Sequence, residues 1–344
     1  MERAFLLARH TARRFCPDRM KWMWGQGLYN YALSLMDEAH GTDEFTGFLS
    51  RYYDSHIQGE YRIESSDTAA PALGAYMLWK KTANPAYKRI ADDAATYMHT
   101  APRILEYLPN HMGTGPYSIY PKSVWVDSVM MYGVFAGRYS HEQKDGELAT
   151  FATRQVPLFA RYLRDKKLRL FYHSYWTSIK GHYPRRPVFW GRGNGWIMAA
   201  LPLMLPYLEN GVEKEETINI FRDLARALLP YQRPDGFFQT VLYPHTRSYR
   251  ESSATALIAS GLMFGGRTGL LDKECLEAGK KAFAAVENSI REDKDGLCLP
   301  EISAPTIPVP GLPLLGYLLT PRGQNLTYGL AALIFAALEE EKLS

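Results

Sequence analysis

Two aspartates enter two apolar helical segments in the same way. Asp67 lies in RIESSDTAAPALGAY and Asp127 in IYPKSVWVDSVMMYG, each at the start of an apolar run. An acid in that position either caps the helix, favoured by the positive end of its dipole, or acts as a proton donor. The second role needs a raised pKa, and burial against an aromatic such as Trp125 supplies it. Ser65 and Ser66 compete with Asp67 for capping. Two acids at the same end of two inner helices would face one cavity, the paired-carboxylate arrangement that cleaves glycosidic bonds.

Other candidates surround this pair in sequence order. His173, in FYHSYW, stands in an aromatic loop and suits orienting a substrate or tuning a neighbouring carboxyl. His182 is a weaker competitor. The stretch FWGRGNGWIMAALPLMLPYL, Phe189 to Leu208, sets Arg192 between Trp190 and Trp196 at the mouth of an apolar run. Its guanidinium offers a planar fork to a carboxylate, or stacks on tryptophan by cation–π contact. Glu251 and Ser253 read as caps of the next helix. No GxSxG, P-loop, HExxH or dinucleotide fingerprint is present, so the common nucleophile, nucleotide and zinc mechanisms lack support.

The elements that must position these residues are helical almost throughout. Periodicity predicts helices over Lys21–Asp37, Glu44–His56, Thr68–Thr82, Ala86–His99, Val126–Tyr139, Glu147–Arg164, Gly195–Leu208, Glu215–Leu229, Ser252–Phe264, Lys273–Arg291 and Leu326–Glu340. Strand signals are short, chiefly Leu168–Tyr175 and Phe237–Tyr243. The segments at Gly195–Leu208 and Ser252–Phe264 are apolar on nearly all sides, whereas Ala86–His99, Glu215–Leu229 and Lys273–Arg291 carry charge on one face. Inner helices wrapped by outer ones produce that alternation, and the pairs recur every fifty or so residues. The long polar loops Pro102–Trp125, Lys167–Asn194, Pro230–Arg250 and Asp293–Asn325 precede inner-type helices, which gathers them at one end, where sites are usually built. Pro202 and Pro206 should kink or end the helix that contains them. No Pro/Gly/Ser linker divides the chain, so residues 1–344 read as one domain.

The totals narrow the classes further. The 344 residues are 46% hydrophobic, enough for a substantial core. Forty basic and thirty-six acidic residues give +4 without a basic block, which argues against nucleic acid as a partner. The N-terminal apolar stretch is too short for a signal-peptide core or a membrane span and reads as a short amphipathic helix. Cys16, Cys275 and Cys298 form no metal spacing, and their odd number suits a reducing compartment. The expectation is a cytoplasmic protein without metal or cofactor. The notable excess is aromatic, with 23 Tyr, 15 Phe and 7 Trp, which suits both cores and sugar clefts.

Several segments, in order, resemble a known family. These are WMWGQG at Trp22–Gly27, SSDTAAPALGAYMLWKKTANPAYKRIA, IYPKSVWVD, HSYW at His173–Trp176, FWGRGNGW, YQRPDGFFQTVL, ESSATALIASGL and GQNLTYGLAALIFAALEE. Together they span nearly the whole chain and are similar to unsaturated rhamnogalacturonyl hydrolases of glycoside hydrolase family 105, related to the unsaturated glucuronyl hydrolases of family 88. The resemblance implies an all-α, six-hairpin double helical (α/α) toroid. It also implies release of a 4,5-unsaturated uronic acid from the non-reducing end of an oligosaccharide, begun by hydration of the double bond. Carried over residue by residue, it makes Asp127 the general acid and base, Asp67 the second active-site aspartate and His173 a substrate-contacting histidine. Trp24 and Trp125 line the pocket, and Trp190, Arg192 and Trp196 form the sugar-binding wall. One departure stands out. Relatives often carry a histidine shortly before IYP, whereas here Pro116 and Tyr117 occupy that place and the nearest imidazole is His111. The competing expectations are a conventional inverting glycosidase using Asp67 and Asp127 on the same toroid, and a helical carbohydrate-binding protein without catalysis.

Overall fold

The computed structural model describes residues 1–113, 120–242 and 248–343. In chain order the helices are α1 (Glu2–Arg14), α2 (Trp24–His40), α3 (Thr46–Gln58), the single turn α4 (Ser66–Ala69), α5 (Ala72–Thr82), α6 (Pro85–Thr100), α7 (Val134–Gln143), α8 (Gly146–Leu163), α9 (Gly191–Met204), α10 (Val212–Leu228), α11 (Ser252–Arg267), α12 (Lys273–Ser289), α13 (Pro313–Leu319) and α14 (Thr327–Glu341). A π-helical turn, Val129–Gly133, leads into α7.

Neighbour relations among these helices build an α/α toroid. α2, α5, α7, α9, α11 and α14 pack side by side, and α14 returns onto α2 to close the ring. Outside them α3, α6, α8, α10 and α12 pack as return helices, and α1 covers α14. The sequence explains the two layers. Every residue of α9 but Leu203 is buried, as is α11 from Ser252 to Gly265, because an inner helix meets neighbours on all sides. α10 and α12 bury one stripe, such as Ile220, Phe221, Leu224 and Leu228 in α10.

The predicted helices are all present within a few residues, with instructive exceptions. The expected Thr68–Thr82 helix breaks before Pro71, giving α4 and then α5, since proline supplies no N–H to the preceding turn. Pro202 is accommodated inside α9, and the helix stops before Pro206. α9 also starts earlier than expected, at Gly191. Glycines at 191, 193 and 195 read as loop because glycine is a poor helix former, but packing requires them. A Cβ at Gly191 would lie 2.3 Å from the Gln239 carbonyl oxygen, and one at Gly195 would lie 2.9 Å from Leu257 Cβ.

Short antiparallel strands brace the long loops, most within one loop and two pairings between loops. β1 (Arg103–Leu105) pairs with β2 (Leu108–Pro109), and β3 (Ser123–Trp125), β4 (Ser174–Trp176) and β5 (Gly181–Tyr183) form a three-stranded sheet. β6 (Phe189–Trp190) pairs with β7 (Val241–Leu242), and β8 (Arg291–Asp293) with β9 (Gly296–Cys298). β10 (Ile302–Ser303) pairs with β11 (Arg322–Gly323). Of the two expected strands, Leu168–Tyr175 contributes only its last residues to β4, and Phe237–Tyr243 only β7. Tyr243 lies outside the described residues. No helix among the described residues is long and apolar enough to cross a membrane.

Candidate active site

Asp127 and His173 are brought together by backbone hydrogen bonds. Trp125 pairs with Ser174 across β3 and β4, and the Val126 amide donates to the His173 carbonyl at 2.9 Å. The next residue, Asp127, leaves the sheet and opens the π turn, its own carbonyl accepting from the Met130 and Met131 amides. Extra-wide turns of this kind place a side chain where a regular helix would not. Asp127 Oδ2 lies 3.5 Å from His173 Nε2, and neither atom has another polar partner among the described residues. Asn194, on α9, fixes the histidine strand from below: its amide accepts from the Phe171 N–H at 2.8 Å and donates to the Phe171 and Trp190 carbonyls.

Asp67 enters from α4. The cap of that turn is Ser65, whose hydroxyl accepts from the Thr68 amide while the Thr68 hydroxyl accepts from the Ser65 amide, so Asp67 is released from capping. Its neighbour Ser66 shares a 3.1 Å hydrogen bond with Ser128, the residue after Asp127, which couples the two acid-bearing turns. His111 completes the cluster. Its Nδ1 meets Ser128 Oγ at 2.8 Å and its Nε2 lies 3.5 Å from Asp67 Oδ1.

Burial sets the electrostatics. Loss of water pushes the Asp127 carboxyl up to about 7, against the opposing pull of the Arg192 charge and the Trp196 indole. Asp67 is also pushed up to about 7, by burial and then by the charge of Asp127. Two such carboxyls resist ionising together. Burial pushes the His111 imidazole down to about 3, and burial together with the Arg192 charge holds His173 well below the usual histidine range. At neutral pH the site therefore holds two neutral imidazoles beside carboxyls poised between acid and base.

Aromatic rings enclose this cluster. Trp125 is stacked on His111 with ring centroids 4.5 Å apart and meets His173 edge-on. Trp190 is stacked on the other face of His173 at 4.2 Å. Trp196 lies edge-on to Trp24, which leans on Tyr328 at 4.5 Å. Asp67 keeps 21% of its side chain accessible and Asp127 12%, so both carboxyls touch solvent.

The alternation of inner and outer helices, the ring closure and the paired acids now carry a comparison with known proteins. The model for Glycosyl Hydrolase Family 88 matches residues 5–344. The chain belongs to this family. An unsaturated rhamnogalacturonyl hydrolase of Bacillus subtilis, YesR, is 28% identical over 84% of this chain and 81% of its own. An unsaturated 3S-rhamnoglycuronyl hydrolase of Alteromonas sp. is 28% identical over 49% of this chain and 42% of its own. Among solved structures, a family 105 glycoside hydrolase of C. acetobutylicum aligns at a TM-score of 0.85 and 25% identity, over 96% of this chain and 97% of its own. The fold is also that of an unsaturated glucuronyl hydrolase from Bacillus sp. GL1, at a TM-score of 0.76 and 18% identity, over 98% and 95% of the two chains.

Within this family 88 chain the candidates named from sequence separate into distinct positions. Asp67, Asp127, His173, Trp125 and Trp190 form one cluster, with Trp24 and Trp196 beside it. Arg192, expected either as a fork to a carboxylate or as a cation stacked on tryptophan, is stacked on Trp190. It sits in the first turn of α9, fully buried, and its terminal nitrogens donate to the Ser303 carbonyl at 2.7 Å, the Ala304 carbonyl at 2.9 Å and the Thr306 hydroxyl at 3.2 Å. Its plane lies between Trp190 and Tyr328, and Nε is the donor left without a partner among the described residues. Most of its hydrogen-bonding capacity therefore holds the wall in place. The three α9 glycines likewise admit protein neighbours. His182 is stacked on Tyr172 and bonded to the Pro184 carbonyl, apart from the carboxyls. Glu251 caps α11, accepting from the Ser253 and Ala254 amides.

Two neighbours of the candidate pair had little signal in the sequence. His111 was visible only as the imidazole nearest a departure from the family pattern; Pro116, Tyr117 and Ile119 lie outside the described residues. Tyr317, on α13, reaches His173 Nδ1 with its hydroxyl at 2.9 Å, from a segment too short to show periodicity. Among the described residues no cluster of three or more His, Cys, Asp or Glu side chains could hold a metal ion.

Proposed function

We propose that residues 1–344 form one catalytic domain that releases a 4,5-unsaturated uronic acid from the non-reducing end of lyase-made oligosaccharides. The observation that carries this reading is the buried Asp127 carboxyl, raised to about 7 and facing a neutral histidine. The C4=C5 bond of such a sugar belongs to an enol ether. Protonation at C4 leaves cationic character at C5, shared with the ring oxygen. Water then adds at C5, and the hemiketal opens to a 5-keto sugar whose C1 hemiacetal expels the remaining chain as an alcohol. One water is consumed, and the catalytic proton is returned.

Asp127 is assigned the proton delivered to C4, a transfer to carbon that demands a carboxyl kept neutral at working pH. Once ionised, the same group takes a proton from the attacking water. Asp67, held on the neighbouring turn, orients the sugar hydroxyls or the water, and its own charge is suppressed while Asp127 is ionised. Trp24, Trp125, Trp190 and Trp196 supply the apolar walls that suit a sugar ring and keep water out. Arg192 braces these walls from behind, its charge shared with Glu251, 3.8 Å away and equally buried. Relatives named as unsaturated rhamnogalacturonyl and rhamnoglycuronyl hydrolases support this substrate class.

The test supplies lyase-made oligosaccharides from rhamnogalacturonan, glucuronan, ulvan and glycosaminoglycans and follows the ultraviolet absorbance of the conjugated uronate. The expected outcome is loss of absorbance with at least one of these. No loss with any of them contradicts the reading.

A further inference from the structure

Tyr317 is a buried polar group at the site to which the reaction just described gives no role. It lies on α13, in the segment between β10 and β11. Its ring is parallel to Trp190 at 6.3 Å and stacked on His173 at 5.8 Å, and its side chain is fully buried. The segment is fastened beside the site: the Tyr183 hydroxyl donates to the Val309 carbonyl at 3.0 Å and accepts from the Gly311 amide at 2.7 Å, and the Tyr120 hydroxyl donates to the Pro308 carbonyl at 3.0 Å.

We propose that Tyr317 is a positioning residue for the reaction, its hydroxyl holding His173 in the tautomer that carries the proton on Nε2 and turns that N–H toward Asp127 Oδ2. This rests on the assignment of Asp127 as the proton donor.

Hydrogen-bond accounting selects the tautomer. A neutral imidazole has one N–H and one lone pair. If Tyr317 O–H donates to Nδ1, the proton sits on Nε2 and faces Asp127 at 3.5 Å. If Nδ1–H donates to the tyrosine oxygen instead, the buried Tyr317 O–H is left without an acceptor, since His173 is its partner among the described residues. An orphaned buried donor is strongly disfavoured, whereas an oxygen lone pair left idle is tolerated. The first arrangement therefore prevails.

The choice matters for where the acid's proton goes. With an N–H aimed at Oδ2, that oxygen is an acceptor and the carboxyl proton occupies the other oxygen, free for transfer to the sugar. With a lone pair at Nε2, the carboxyl would donate its proton to His173 instead. The 3.5 Å separation is long for a hydrogen bond, and such pairs tighten when a ligand excludes water. Asp127 is also faced by Arg192, Trp196 and Asp67, none of which fixes the histidine tautomer.

Tyr317→Phe removes only the hydroxyl and keeps the ring between its neighbours. Nitrogen-15 NMR of the imidazoles, with His173 assigned through His173→Gln, reads the tautomer directly and without substrate. The prediction is an Nε2–H imidazole in the wild type and a measurable Nδ1–H fraction in Tyr317→Phe, where the Asp127 O–H donating to Nε2 competes with the cost of an unpaired Nδ1–H, with a melting temperature lower by a few degrees for the lost buried hydrogen bond. With an unsaturated oligosaccharide, kcat should fall on the order of tenfold with KM nearly unchanged. The alkaline limb of kcat/KM should move to higher pH, because the carboxylate loses a donor and its acid gains an acceptor. An Nδ1–H imidazole in the wild type, the same tautomer in both proteins, or a fall in kcat without a moved pH limb overturns the proposal. The NMR result stands apart from turnover, so a wrong substrate class leaves the tautomer result intact.

Discussion

On the proposed mechanism Asp127 carries the proton transfers, and its environment makes opposite demands on activity and stability. A carboxyl whose pKa rises from 3.8 to about 7 on folding holds a proton that the unfolded chain has already released. Its contribution to stability is therefore complete below about pH 4, declines as pH rises toward 7 and is constant above. Asp127→Asn removes this ionisation. It should lower turnover by about 10³-fold or more while raising stability at pH 8 by ~1–3 kcal/mol. Kinetics and thermal unfolding on the same preparation test both, and an active or destabilised variant contradicts the assignment. The same protonation equilibrium predicts that kcat/KM of the wild type falls as pH rises through about 7; a profile flat to about pH 9 would place the acid elsewhere. Sequence reading found both acids because each follows a recognisable string. It could not tell cap from catalyst, since that depended on Ser65 taking the capping role at α4 and on a π turn after Asp127.

At the scale of elements, the first turn of α9 shows why local propensity misleads at a functional site. Arg192 and three glycines look like a loop, yet each glycine is required by a close neighbour. Gly191→Ala would push a methyl into the Gln239 carbonyl, shift the β6–β7 pair and displace Trp190 from His173. We expect a loss of ~2–4 kcal/mol in stability and a clear fall in activity. Gly47→Ala, on α3 where nothing lies within 4 Å, should be neutral or slightly stabilising. Denaturant unfolding of the two variants measures the contrast, and equal effects would refute the packing argument. α13 was invisible for a related reason. A seven-residue helix amid Gly and Pro offers no periodicity, and Tyr317 ties it to His173 and Trp190.

The whole molecule is legible to the degree that burial leaves a trace in composition. All-round apolar segments and one-sided ones alternate because a closed ring needs inner helices with neighbours on every face, and this pattern marked α9 and α11 as inner and α6, α10 and α12 as outer. Ring closure itself, α14 against α2 with α1 over α14, has no local signature, because it pairs the two ends of the chain. The layering predicts a hierarchy in hydrogen exchange, slowest in α9 and α11 and faster in α10 and α12. Faster exchange in the inner pair would contradict it. The same closure gathers loops from four separate hairpins over one end, so acid, histidine and aromatic walls come from distant parts of the sequence.

The central claim is hydration of the sugar double bond, and the fate of the chromophore tests it most directly. An unsaturated disaccharide is incubated with the wild-type protein, and ultraviolet absorbance is recorded together with early products resolved by chromatography. The account predicts that absorbance is lost in step with release of the saturated partner sugar, and that Asp127→Asn does neither. Release of an intact unsaturated uronic acid, with its absorbance retained, would mean that the glycosidic bond is hydrolysed conventionally by the Asp67 and Asp127 pair, and would contradict the account.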